Sequence, residues 1–188
     1  MSRKVLRRAG IAILAVIVIL VVVGFFLPRQ PIVSRSIAVA ATPDAVYAVV
    51  SDLRRFNDWS PWYGRDPDAV YTFTGPADGV GQTMRWESDM PEVGSGTMTI
   101  AALDPDSQVD IDLDFGDQGL ASTWVTIAPE GEGANVTWAF TTDFGYNPIA
   151  RYLGMMIDDM IGGDYETGLE KLKAVVEQPA ETDEDELG

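Results

Sequence analysis

Hydrophobic and polar positions divide the chain into three regimes. In the first, Ile11-Ala-Ile-Leu-Ala-Val-Ile-Val-Ile-Leu-Val-Val-Val-Gly-Phe-Phe-Leu27 runs for 17 residues without a polar side chain, and Ala9 and Gly10 extend it to 19. As a helix it covers roughly 28 Å, about the hydrocarbon thickness of a bilayer. A buried core helix would still be apolar, but an ordinary amphipathic one would show a polar stripe, and none exists here. A cleaved signal peptide has an apolar core of about 7–15 residues closely followed by a small-x-small site. Here the core is longer, and the nearest such pattern, Ala38-Val39-Ala40, falls inside a predicted strand. The pattern predicts a transmembrane helix over 10–28, closed by Pro28-Arg29.

The second regime alternates. Ile32–Val39 reads as a strand, followed by a helix over Asp44–Val50 with Thr42 as N-cap and Pro43 at its first position. A shorter helical piece over Asp52–Asn57 leads into Asp58-Trp-Ser-Pro-Trp-Tyr63. From there the period drops to two. Strands are predicted over 69–74, 83–88, 97–103, 108–115, 121–128 and 135–142, each junction carrying Gly, Pro or Asp. Asp110-Ile-Asp-Leu-Asp-Phe115 alternates most cleanly, as a strand wet on one face does. The third regime is helical. Ile149, Leu153, Met156, Ile157, Met160, Ile161, Tyr165, Leu169, Leu172, Val175 and Val176 recur at three- and four-residue steps between Pro148 and Glu177, predicting one long stripe facing a sheet. Gly162-Gly163 interrupts it and would permit a bend or a close approach. Residues 179–188, with five acids, read as a disordered tail.

Charge sharpens these boundaries. The whole chain of 188 residues has 13 bases and 29 acids. The first 30 residues hold five bases and no acid, leaving net −21 on the remainder. Four bases among the first eight residues place the 1–9 segment in the cytoplasm by the positive-inside rule. The expected location is a bacterial cytoplasmic membrane, crossed once, with the soluble domain facing the periplasm. An acidic domain is a poor match for nucleic acid, whose phosphates recruit Lys and Arg. There is no histidine and no cysteine. That removes Ser-His-Asp and Cys-His nucleophiles, His- or Cys-built zinc sites and disulfides. No cofactor is expected and no metal site either, since Asp110, Asp112 and Asp114 at strand spacing lack the turn geometry of a calcium loop.

The order strand, two short helices, six strands, long helix resembles the helix-grip fold of the START and Bet v 1-like (SRPBCC) superfamily. Ser36–Leu53 looks like its opening strand and helix. Phe56-Asn-Asp-Trp-Ser-Pro-Trp62 is similar to the Phe-x-x-Trp-x-Pro-Trp turn of its polyketide cyclase/dehydrase branch, and Asp164–Lys173 to that branch's closing helix. The resemblance spans residues 31–178. It implies an α+β domain in which a curved seven-stranded antiparallel sheet wraps a long C-terminal helix around a hydrophobic pocket. It carries over no catalytic residue, because the superfamily shares none.

Candidate chemistry is therefore a matter of pocket lining. Trp59 and Trp62, with Phe56 and Tyr63, either wall a pocket or pin the helix pair to the sheet. Alternation puts Met84 and Trp86 on one face of their strand, and Val136, Trp138 and Phe140 on one face of theirs, adjoining Met155, Met156 and Met160. Met and Trp suit an irregular apolar ligand, but the same residues could fill a core. The leading reading is a membrane-anchored domain binding a hydrophobic small molecule or lipid between sheet and helix. A cyclase- or hydrolase-like enzyme would need a pocket carboxylate or Tyr among Glu87, Asp159 and Tyr165. A protein-interaction module would show an exposed apolar patch outside the cavity. The oligomeric state is open.

Overall fold

The structure, a computed structural model, describes residues 3–178; Met1, Ser2 and the acidic segment 179–188 lie outside the described residues. The apolar run forms helix α1 (Arg3–Phe26), long and apolar enough over Arg7–Phe26 to cross a membrane. Strand β1 (Ile32–Val39) follows, then α2 (Pro43–Val50), a 3-10 turn over Leu53–Arg55 and the short α3 (Phe56–Trp59). Six strands come next: β2 (Val70–Thr74), β3 (Thr83–Glu87), β4 (Gly96–Asp104), β5 (Gln108–Asp114), β6 (Leu120–Glu130) and β7 (Gly133–Thr142). Helices α4 (Ala150–Gly154) and α5 (Ile157–Val176) close the described chain. Thr42 takes the extended N-cap geometry before Pro43 without a side-chain cap bond.

The seven strands make one antiparallel sheet in the order β1-β7-β6-β5-β4-β3-β2. Consecutive hairpins generate β2 through β7, and β1 pairs with the last strand. Register places Ile32 opposite Thr141, Ala121 opposite Thr142, Asp114 opposite Leu120, Trp86 opposite Gly96 and Val70 opposite Glu87. All of these lie at one end of the sheet, the end at which α1 joins β1. Period-two alternation sends Val109, Ile111 and Leu113, and Val136 and Trp138, inward to the core beneath the helices, while Asp112 and Asp114 stay exposed.

Buried polar groups hold the layers in place. Gln82 is buried; its Oε1 accepts from Leu53 N at 2.6 Å, and its Nε2 donates to Asp52 Oδ1 and Ala77 O, both 2.8 Å. Two of these bonds tie the segment after α2 to the sheet, and the third holds the β2–β3 connection. Arg35 of β1 lies across α5, its Nη1 2.8 Å from Asp158 and its Nε 2.6 Å from Glu166. Gly162 sits beneath the guanidinium, where any Cβ would run into Arg35 Nη2.

Two helical expectations need correction. The C-terminal helix is broken at Met155–Met156 rather than at Gly162-Gly163, and α5 runs straight through the glycine pair. Gly162 serves close approach, not bending. The stripe is also not continuous against the sheet: Tyr165, Leu169 and Leu172 are buried, whereas Ile149, Leu153, Met156 and Met160 are exposed. Two overlapping apolar rows share the three-and-four spacing, and only the row through Ile161, Tyr165, Leu169 and Leu172 docks.

The junction with α1 is a built contact. Arg151, 8% exposed, donates to Gly145 O at 2.8 Å, Phe25 O at 3.0 Å and Leu27 O at 3.3 Å, so it satisfies carbonyls that a helix end leaves open. Tyr152 OH donates to Leu20 O at 2.7 Å, and Arg29 pairs with Asp143 at 2.5 Å.

Candidate functional site

A cavity of about 240 Å³ lies between the sheet and α5. Met84 and Trp86 of β3, Met98 of β4, Leu113 of β5 and Trp138 and Phe140 of β7 form its floor. Phe56, Trp62, Tyr71, Val93 and Phe115 close the sides, and Ile161 and Tyr165 of α5 cover it. The two remaining lining residues are Ser60 and Thr123. No lining residue is an Asp, Glu, Lys or Arg.

The floor is shaped by glycines facing large aromatics. The indole of Trp86 lies over Gly96, where a Cβ would come within 2.6 Å of Trp86 Cη2, and Trp86 Nε1 donates to Val93 O at 3.2 Å. Trp138 is packed against Gly168 in the same way, with 2.6 Å left between Trp138 Cζ3 and a Cβ there. Both indoles are held against backbone and line the cavity.

Polar groups in the wall are already engaged. Ser60 Oγ accepts from the backbone N–H of Trp62 at 3.2 Å and of Tyr63 at 3.3 Å, turning the Trp-Ser-Pro-Trp segment inward. Trp62 Nε1 donates to Asp164 Oδ2 at 3.0 Å, and Arg65 pairs with the same carboxylate. Burial pushes the Tyr165 hydroxyl well above its ordinary range. It stays protonated at neutral pH and is no base. Tyr71 is raised in the same direction, first by burial and then by Tyr63 and Asp66.

The eight side chains expected to line a pocket separate into two groups. Trp62, Met84, Trp86, Trp138 and Phe140 line the cavity. Trp59, Met156 and Met160 do not. Trp59 is 2% exposed and packs edge-on against Phe56 and Trp138, both at 4.9 Å between centroids, so it pins α3 onto the sheet behind the cavity wall. Met156 and Met160 are 56% and 71% exposed, on the outer row of the helix, and Met155 is exposed with them. Sequence reasoning passed over Tyr71, Val93, Met98, Phe115, Ile161 and Leu113 as lining residues, and placed Tyr165 in a pocket only for the enzyme reading. Alternation along β5 had signalled Leu113 and Phe115, whereas nothing local marks Val93, which reaches the cavity from a loop.

The carboxylates of the acid–base reading stay outside. Glu87 is exposed on the outer face, paired with Arg85 at 2.5 Å, and Asp159 is exposed on α5. Among the described residues no group of three or more His, Cys, Asp or Glu side chains could hold a metal ion.

A seven-stranded antiparallel sheet gripping a C-terminal helix over an apolar cavity defines a helix-grip protein of the Bet v 1-like class. Residues 30–177 match the family described as polyketide cyclase/dehydrase and lipid transport, and the chain belongs to that family. No curated protein matches it in sequence. Among solved structures it is similar to a protein of unknown function from Staphylococcus aureus, with TM-score 0.61 and 13% identity, covering 79% of this chain and 94% of that one. It is similar to truncated norcoclaurine synthase from Thalictrum flavum, with TM-score 0.58 and 10% identity, over 80% and 95% of the two chains. A protein from Chromobacterium violaceum matches with TM-score 0.53 and 20% identity, over 79% and 99%. At these identities the likeness is one of fold.

Proposed function

We propose that the chain is a membrane-anchored binding domain that holds a hydrophobic small molecule or lipid between its sheet and α5, with Trp62, Met84, Trp86, Trp138 and Phe140 among the contacting residues. The observation that carries this reading is the cavity of about 240 Å³ with an apolar, uncharged lining. An apolar void of ~150 Å³ already admits a benzene-sized guest. The family's description names lipid transport beside cyclase and dehydrase activity, and a ligand cavity serves either. Absence of any ionisable carboxylate from the lining favours carriage over acid–base chemistry. Helix α1 would span the membrane with the N-terminus in the cytoplasm, and the domain would face the periplasm of a bacterium.

The full chain in lipid nanodiscs, exposed to a fatty acid bearing a photoreactive diazirine, tests this. Adducts are expected on peptides containing Trp86, Met98 and Leu113, and Leu113→Trp should abolish them by filling the floor. Labelling confined to α1, or untouched by Leu113→Trp, would overturn the reading.

A further inference from the structure

The segment from Ile149 to Met160 leaves five large apolar side chains exposed. Ile149 is 57% exposed, Leu153 59%, Met155 63%, Met156 56% and Met160 71%. Scattered exposed apolar residues need no explanation, but a cluster along one helical path marks a contact surface. Ile149 and Leu153 stand four residues apart at α4, and Met156 and Met160 four apart at the start of α5, on either side of the break at Met155–Met156.

The position of this face relative to α1 identifies what covers it. Helix α4 runs beside the last two turns of α1: Pro148 packs on Gly24 so closely that a Cβ there would strike the Pro148 carbonyl, and Tyr152 OH reaches Leu20 O at 2.7 Å. Leu20 lies seven residues before Leu27, the last residue of the apolar run, which is about 10 Å along a helix. If the apolar run fills the hydrocarbon layer, Tyr152 and its neighbour Leu153 lie below the lipid surface, at the ~5–10 Å depth where interfacial helices rest. Tyr146, 80% exposed, and Tyr152 have the ring-and-hydroxyl chemistry enriched at that boundary. Arg29 and Asp143, an exposed ion pair just past the apolar run, mark its aqueous side.

The same end of the sheet carries the cavity. Ile32 and Leu120, 63% and 69% exposed, stand at the end of the sheet at which α1 joins β1. Trp86, Phe115 and Phe140 line the cavity from that end, and Ile161 follows Met160 directly.

We propose that the face formed by Ile149, Leu153, Met156 and Met160 is immersed in the lipid leaflet from which α1 emerges, bringing the α1-proximal end of the cavity to the bilayer surface. This rests on the reading of α1 as a membrane span. The occupant is the acyl-chain boundary of the bilayer, not a protein groove. The outer row then serves a purpose distinct from the docked row: one seats α5 on the sheet, and the other seats the domain on lipid. An apolar ligand would pass between membrane and cavity without crossing bulk water.

The chain has no cysteine, so each introduced thiol is a unique label. Leu153→Cys, Met156→Cys, Val16→Cys within α1, and Glu130→Cys at the far end of the sheet are labelled with a polarity-sensitive fluorophore. Each is reconstituted as the full chain in phosphatidylcholine nanodiscs. The expected result is blue-shifted emission at positions 16, 153 and 156, quenched by lipids carrying a nitroxide on the acyl chain and protected from iodide. Position 130 should show the reverse. If position 16 is lipid-quenched while 153 and 156 are open to iodide, α1 spans the bilayer and the immersion proposal falls. If 153 and 156 are shielded from both quenchers, protein covers the face, and the proposal falls as well. If position 16 itself escapes the lipid quencher, the anchor reading fails, and the proposal with it.

Discussion

The ring of Tyr165 lies stacked on the indole of Trp138, with centroids 3.8 Å apart and planes within 20°. Both polar ends meet Thr123 Oγ1: Trp138 Nε1 donates to it at 2.8 Å and the Tyr165 oxygen lies 3.2 Å away. Thr123 Oγ1 also lies 2.7 Å from Ala139 O, to which it must give its single proton. With that proton committed, the Thr123 oxygen can only accept from its two aromatic neighbours, so the Tyr165 hydroxyl is the donor. One threonine thereby fixes the orientation of two rings that wall the cavity, and it leaves the outer lone pairs of the Tyr165 oxygen as an acceptor.

Thr123→Val keeps the volume and removes the acceptor for two buried donors. At roughly 1–3 kcal/mol for each donor left unpaired, the loss should reach about 2–6 kcal/mol. Tyr165→Phe removes one of those donors together with its need for a partner, and should cost no more than about 1.5 kcal/mol. Urea unfolding followed by tryptophan fluorescence measures both. Equal losses would mean that Thr123 is not the shared acceptor.

Gly168→Ala tests the fit of Trp138 from the other side. The new methyl would stand 2.6 Å from Trp138 Cζ3 and 3.2 Å from Pro61 Cδ, so the Trp138 ring, which lines the cavity, must shift. Overpacking of this kind costs about 1–3 kcal/mol. The variant should bind a fluorescent fatty acid more weakly than the parent, in proportion to the volume lost. Destabilisation without any change in binding would place the ligand elsewhere.

The strands were legible because one sheet face is wet. Alternation through Asp110, Asp112 and Asp114 against Ile111 and Leu113 predicted β5 to within a residue, and the same period placed Met84, Trp86, Trp138 and Phe140 inward. The C-terminal helix was less legible, since Ile149, Leu153, Met156 and Met160 repeat with the same spacing as Ile161, Tyr165, Leu169 and Leu172. Periodicity reports that a row is apolar and is silent on what covers it. Gly162 could be read as a bend or as a close approach, because the residue that needs the space, Arg35, is 127 positions away in sequence. Trp59 and Trp62 carry the same side chain three residues apart, yet one pins α3 and the other lines the cavity. That division is set by the tertiary position of Trp138.

Arg151→Lys should loosen α1 from the domain while leaving the cavity intact. The guanidinium fork reaches three carbonyls on two segments, Gly145, Phe25 and Leu27, and an ammonium on a flexible stem cannot reproduce that geometry. Hydrogen exchange at the amides of 145–152 should accelerate relative to the parent in nanodiscs, with exchange in β5 and β6 unchanged. Uniform acceleration across the sheet would show that Arg151 supports the whole core instead.

The ion pair between Arg29 and Asp143 gives the junction a defined acid limit. The hydrogen bond from Arg29 is the largest influence on Asp143, followed by the N–H of Gly145, and together they hold its pKa at about 2 against an ordinary 3.8. Because the folded-state pKa is depressed, the stabilising contribution is complete above the ordinary value. It is lost as pH falls from there through about 2, while Arg29 stays charged throughout. A carbon-13 titration of the Asp143 carboxyl in the full chain should therefore find a midpoint near 2. In Arg29→Gln the midpoint should rise toward 3.8 without fully reaching it, because the Gly145 N–H still donates to Asp143 Oδ1 at 2.7 Å. A midpoint unmoved by Arg29→Gln would mean that the pair does not form in solution, and that Arg151 and Tyr152 alone fasten α1 to the domain.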